Sequence, residues 1–189
     1  VMEPKEDICY PAVEIHRSGT GSLNMHAYKN NINQSSVDFV YENHELKAQA
    51  GGKELEIVMI SPEKLKAVYH MRLFDGVPAV QTWTEIINEG SEDQGLTYVS
   101  SFMYQGISRG GEKPYYKKTD IYVPFNSWCC EAQWQKYDAE TLNLNGKVVD
   151  GFNHQGYGLN RYCYSGKGTW STCEYLPMGI AEDRETGET

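Results

Sequence analysis

The sequence predicts an all-β fold of two stacked antiparallel sheets, with at most one or two short helices. Three observations carry this expectation. Residues 65–74 alternate apolar Leu65, Ala67, Tyr69, Met71 and Leu73 with polar Lys66, His70 and Arg72, the period-two pattern of a half-buried strand. Asp75-Gly76 follows, a turn pair that tolerates positive φ and returns the chain as an antiparallel hairpin. Residues 79–88 and 96–106 then carry apolar or aromatic groups on both faces: Val80 and Ile86 against Trp83 and Ile87, and Tyr98, Phe102 and Tyr104 against Val99 and Met103. Strands of that kind belong in the middle of layers, so a second sheet has to cover them.

Taken in order, residues 12–16 read as extended chain and residues 18–34, rich in Gly, Asn and Ser, as a surface loop. Residues 37–41 form a short β-prone run assigned to the second sheet. Residues 55–60, 65–74, 79–88 and 96–106, joined by the turns Ser61-Pro62-Glu63-Lys64, Asp75-Gly76 and Asn88-Glu89-Gly90-Ser91, make a four-stranded meander. Residues 120–124, 161–164 and 173–178 are further strands for the second sheet. Residues 130–144 are the one segment suited to a short helix, since Glu131, Ala132, Gln133, Lys136, Ala139 and Glu140 are good formers and Asp138 can cap a second turn. Residues 143–160 read as another loop. The last six residues, 184–189, read as a polar turn with Gly187 free to take φ > 0, and Val1 opens without an initiator methionine. Both ends are therefore expected to be cuts through something larger.

A chain of 189 residues is expected to form one domain with a substantial core. Its net charge of −9, with no basic stripe, argues against a nucleic acid partner, because each phosphate contact needs a cation. No apolar run reaches the roughly 18–20 residues that span a bilayer, so no membrane partner is expected. Five cysteines, an odd number without CxxC spacing, fit a reducing compartment and a cytoplasmic location. Adjacent Cys129 and Cys130 read as small, partly buried side chains.

Motifs for chemistry are scarce. The 26 acidic residues sit mainly in turns or on the polar positions of strands, and His16, His26, His44, His70 and His154 show neither HxH nor HxxxH spacing. No metal site and no cofactor are expected from local spacing. There is no Gly-x-Ser-x-Gly elbow, Walker loop or strand-borne GxGxxG. Aromatic rings in loops stand out instead, among them Trp128, Trp134, Tyr137 and Trp170. Such rings stack on the apolar face of a sugar, and they equally anchor another domain, which is the commoner use.

Three segments resemble one family: Tyr10-Pro-Ala-Val-Glu-Ile-His-Arg-Ser-Gly19, Tyr122-Val-Pro-Phe-Asn-Ser-Trp-Cys-Cys-Glu-Ala-Gln-Trp-Gln-Lys-Tyr137 and Gly168-Thr-Trp-Ser-Thr-Cys-Glu-Tyr-Leu-Pro-Met-Gly179. In this order they look like the N-terminal β-supersandwich domain of family 36 glycoside hydrolases, the α-galactosidases, and Val80 to Asn88 resembles that domain's long central strand. The resemblance implies a parent whose (β/α)8 barrel holds two catalytic aspartates, the nucleophile in a Lys-Trp-Asp motif. That motif does not occur here, so no catalytic residue is carried over. It also implies three partners: the parent's own catalytic barrel, neighbouring subunits, and an α-galactoside substrate bound by the parent and cleaved with retention. This chain alone is expected to be an inactive supporting domain, with a stand-alone carbohydrate-binding module as the alternative. Trp128, Trp134, Trp170 and Tyr137 are the candidates for sugar or domain contact.

Overall fold

The structure, a computed structural model, describes residues 11–20, 34–104, 117–142, 144, 162–166, 170 and 172–189. Two compact units divide the chain, one within residues 5–105 and the other within residues 106–189. Its described strands pair antiparallel throughout, and the fold is all-β.

The first unit opens with β1 (Ile15–Arg17) and the single-turn α1 (Gln34–Val37). A meander follows, β2 (Val40–Gln49), β3 (Gly52–Ile60), β4 (Leu65–Phe74) and β5 (Val77–Asn88), in the sheet order β2-β3-β4-β5. Last comes β6 (Leu96–Val99), which pairs with β1 and not with the meander. Cross-strand register puts Met59, Ala67 and Ile86 on one face, with Ile57 and Tyr69 beside them. Val13 and Ile15 pack on that face with Val99, so the β1–β6 ribbon forms a second layer over it. Removing such side chains from water, at about 25 cal/mol per Å² of apolar surface, is what holds the layers together. Ribbon backbone is tied down by buried serines. Ser36 Oγ accepts from Ile15 N at 2.9 Å and donates to Ile15 O at 3.0 Å, and Ser100 Oγ accepts from Glu14 N at 2.8 Å.

In the second unit, β7 (Thr119–Ser127) is the central strand and β8 (Cys130–Asp138) runs the length of one of its edges. Its other edge carries β9 (Glu174–Tyr175) and β10 (Ile180–Asp183), one after the other. Buried Asp120 is neutralised by Lys136 at 2.7 Å and Arg184 Nε at 3.3 Å, and Lys136 also reaches Glu182 at 3.3 Å. Gly187 takes φ +71°, and its N–H bonds Asp183 O at 2.7 Å in the turn expected of residues 184–189.

Several expectations are corrected. Residues 130–138 are the strand β8, not a helix: pairing along β7 outweighs the helix propensity of Glu131, Ala132 and Gln133, a preference worth only tenths of a kcal/mol per residue. Asp138 does cap a turn, accepting from Thr141 N at 2.6 Å. The meander lies one strand earlier than expected, because residues 40–49 join it as an edge and β6 leaves it. β5 is also an edge strand, with Val77, Val80 and Ile87 exposed, not a strand covered on both faces. Residues 162–164 form no strand, and Arg161 lies outside the described residues, as do residues 21–33 and 145–160 of the two expected loops. Cys129 and Cys130 are exposed and free, not partly buried, and Cys9 lies outside the described residues.

Among the described residues, four carboxyl groups are held below their ordinary range. Glu63 is lowered by its bond to Arg17, Asp138 by the Thr141 backbone N–H, Glu182 by the Tyr122 hydroxyl and then Lys136, and Asp183 by the Glu185 backbone N–H and then Lys118. A depressed folded-state value gives stability that is present above the unfolded value and is lost as pH falls through the folded one. The thermal midpoint should therefore hold steady from neutrality to about pH 5 and drop steeply from there to about pH 3. A midpoint that stays level down to pH 3 would show these bonds to be idle.

Candidate functional site

The β7–β8 hairpin turns on Trp128 and Cys129, since Ser127 pairs directly with Cys130. Cys129 adopts φ +59°, a left-handed conformation that costs a non-glycine residue about 1–2 kcal/mol. This tight turn lifts Trp128 off the sheet, leaving it 74% exposed. Trp170, itself 56% exposed, stacks on it with ring centroids 5.4 Å apart and planes 30° from parallel. Two large rings that stack in water and stay open to it form a shelf with a free apolar face.

The shelf borders an open cleft of about 860 Å³. Phe125 and Tyr175 supply further apolar wall, and Asn126, Glu131, Gln133 and Glu174 supply hydrogen-bonding groups. Asn126 ties the two sides together. Its Oδ1 accepts from Ala132 N at 3.0 Å, next to the turn that bears Trp128, while its Nδ2 donates to Thr172 O at 2.7 Å, in the segment that bears Trp170. Ala132 and Glu174 share the left-handed backbone of Cys129, at φ +51° and +70°. Three such residues around one cleft are the kind of strain that surrounding structure has to hold in place.

A row of rings leads away from the cleft: Phe125 to Tyr175 at 5.2 Å, Tyr175 to Tyr164 at 5.2 Å, and Tyr164 to Tyr162 at 5.9 Å. Burial pushes the Tyr162 and Tyr164 phenols up, and the Tyr164 hydroxyl donates a hydrogen bond to Met178 O. Tyr137 stands farther along β8, opposite Ile121 of β7. Trp134, 38% exposed, pairs with Pro124 on the other face of β8. Of the four aromatic candidates, then, Trp128 and Trp170 come together, while Tyr137 and Trp134 lie apart from the cleft on opposite faces.

A second constellation lies in the first unit, on the sheet face away from the β1–β6 ribbon. Glu54 and Glu56, two apart on β3, share that face with His70 and Trp83, because Glu56 pairs with His70 and His70 with Trp83. His70 Nδ1 lies 3.1 Å from Glu54 and 3.7 Å from Glu56, and its Nε2 lies 3.7 Å from Glu85. Its ring is clamped flat on Trp83, at 4.5 Å and 7°. Glu54 and His70 are only 8% and 6% exposed. Reading each histidine by its neighbours in sequence misses this group. The usable signal was Glu-x-Glu in a strand next to one carrying a histidine.

Comparison of the chain with protein-family models, curated proteins and solved structures finds no match.

Proposed function

We propose that the chain is a non-catalytic β-domain of a retaining α-galactosidase, supporting the parent's barrel and subunit assembly, and that it touches carbohydrate through Trp128 and Trp170. The observation that carries this reading is the open, stacked tryptophan pair beside Asn126, Glu131, Gln133 and Glu174. A pyranose offers an apolar face ringed by hydroxyls. It therefore suits a flat aromatic shelf bordered by amide and carboxylate acceptors, where rings supply area and polar groups fix orientation. Further support comes from the family resemblance. Two of its three segments, far apart in sequence, meet here: one supplies Phe125, Asn126, Trp128, Glu131 and Gln133, the other Trp170, Thr172, Glu174 and Tyr175.

A stand-alone carbohydrate-binding module is the second reading, favoured because every residue of the cleft comes from one unit. Titration with galactose and raffinose, followed by tryptophan fluorescence, separates the readings. Weak saturation near millimolar sugar is expected for a supporting domain, whose parent supplies the rest of the site, and micromolar affinity for a self-sufficient module. Absence of any change up to about 10 mM of either sugar removes carbohydrate contact from both. Turnover of an aryl α-galactoside, abolished by mutating an acid within the chain, would overturn the non-catalytic assignment.

A further inference from the structure

We propose that Glu54, Glu56 and His70 form a binding site for one first-row divalent cation of the Mn2+ or Zn2+ kind. One donor atom from each residue lies within 4.8 Å of the others. Bonds of roughly 2.0–2.2 Å to a shared ion would set neighbouring donors about 3–3.5 Å apart. His70 Nδ1 already stands at 3.1 Å from Glu54, and Glu56, at 3.7 Å, closes the set by a small rotation of a flexible side chain.

An independent observation is the other ring nitrogen. His70 Nε2 is buried and, among the described residues, has no hydrogen-bond partner, yet it faces Glu85 at 3.7 Å. A neutral imidazole carries one N–H. If that proton sits on Nδ1, the Nε2 lone pair points at the Glu85 carboxylate. With the proton on Nε2, it is the Nδ1 lone pair that points between Glu54 and Glu56. Either neutral tautomer by itself aims a lone pair at anionic oxygen, at buried Glu54 and partly buried Glu56 on one side or at the more open Glu85 on the other. A cation on Nδ1 removes the conflict, and Nε2–H then faces Glu85, the outer carboxylate that commonly orients a metal-bound histidine. The flat stacking on Trp83 holds the ring in the plane this needs.

Local charge agrees. Four glutamates, Glu45, Glu54, Glu56 and Glu85, lie on this face, and Lys47, at its β2 end, bonds Glu56 at 2.5 Å and lies 3.7 Å from Glu45. Arg72, opposite Glu54, has its guanidinium over the Phe74 ring at 5.2 Å. Lys47 is thus the incumbent cation at the rim, and an incoming ion displaces it toward Glu45.

Mn2+ alone, added to the 189-residue chain and counted by the paramagnetic resonance of the free ion, tests the site; thiols hold this hard ion poorly, so the exposed cysteines do not compete. One equivalent should bind and quench Trp83, with the quenching lost in Trp83→Phe. Glu54→Gln and Glu56→Gln should each weaken binding about tenfold or more, and Glu85→Gln, which touches no metal, about tenfold. Lys47→Met, which removes the competing ammonium, should tighten it severalfold. Glu56 and Lys47 lie at the rim, so their variants decide the matter even if Glu54→Gln fails to fold. No stoichiometric binding at about 1 mM ion, or binding unchanged in Glu56→Gln and Lys47→Met, overturns the proposal.

Discussion

Gly52→Ala is expected to destabilise the first unit by about 3 kcal/mol or more, at or beyond the top of the usual range for overpacking. A Cβ on Gly52 would stand 2.0 Å from the Leu73 carbonyl oxygen, with the Leu73 carbonyl carbon at 3.1 Å and Phe74 Cα at 3.2 Å. All three are backbone atoms, so no rotamer change relieves the clash. Gly52 starts β3 opposite Phe74, where the register of β4 on β5 shifts between Leu73 and Phe74, and the two chains approach closely enough that only hydrogen fits. For a unit of this size the thermal midpoint should fall by about 12 °C or more. Gly76→Ala is the control. Gly76 has φ +73° and open space around its Cβ position, so it carries only backbone strain, about 1–2 kcal/mol. Equal losses at the two positions would mean that the close approach at Gly52 is not tight. Because β3 also carries Glu54 and Glu56, Gly52→Ala should weaken any cation site there without touching its ligands.

Legibility followed the hydrophobic pattern and stopped where the pattern stopped. The strand at residues 65–74 is legible because its ribbon-side positions, Ala67 and Tyr69 among them, are apolar, although Val68 and His70 on the other face are buried as well, and Asp75-Gly76 announces its turn, with Gly76 at φ +73°. The neighbouring β2, Val-Tyr-Glu-Asn-His-Glu-Leu-Lys-Ala-Gln, is an almost wholly exposed edge, so burial imposes no alternation on it, and only its first two residues, Val40 and Tyr41, fell within a run read as a strand, one assigned to the other sheet. β8 has the same problem in sharper form. Its exposed positions are filled by Glu, Ala, Gln and Lys, which favour helix when read locally, whereas the pairing with β7 that makes it a strand is non-local. Its turn adds to the difficulty, since Trp128 and Cys129 replace the glycine or asparagine that normally signals positive φ.

The sites follow the same logic. Trp128 and Trp170 were visible as loop aromatics, but their meeting depends on β8 and β9 flanking β7, a topology that residue spacing does not encode. Asn126 carried no signal at all. Its role depends on bonding in two directions from a strand end. Glu54, Glu56 and His70 come together through the β3–β4 register, and a slip of one residue would have sent the histidine to the opposite face from the glutamates.

Trp128→Ala is expected to lower affinity for galactose or raffinose by at least about tenfold while leaving the thermal midpoint nearly unchanged. The stability half follows from exposure: a ring 74% open to solvent, at the tip of a hairpin, contributes little buried area to the fold. The affinity half follows from the stack, because removing one ring leaves Trp170 without the partner that holds it in place and halves the apolar area offered to a sugar. Asn126→Ala separates arrangement from contact. It keeps both rings but deletes the bonds to Ala132 and Thr172, at about 1 kcal/mol each, and so releases the two sides of the shelf from one another. Affinity should fall as it does in Trp128→Ala, now together with a loss of about 1–2 kcal/mol in stability. Rescue by Asn126→Asp should be partial, because a carboxylate can accept from Ala132 N–H but cannot donate to the Thr172 carbonyl. Unaltered sugar affinity in Trp128→Ala would rule out the shelf as the contact, and unaltered affinity in Asn126→Ala would show that the rings act singly instead of as a held pair.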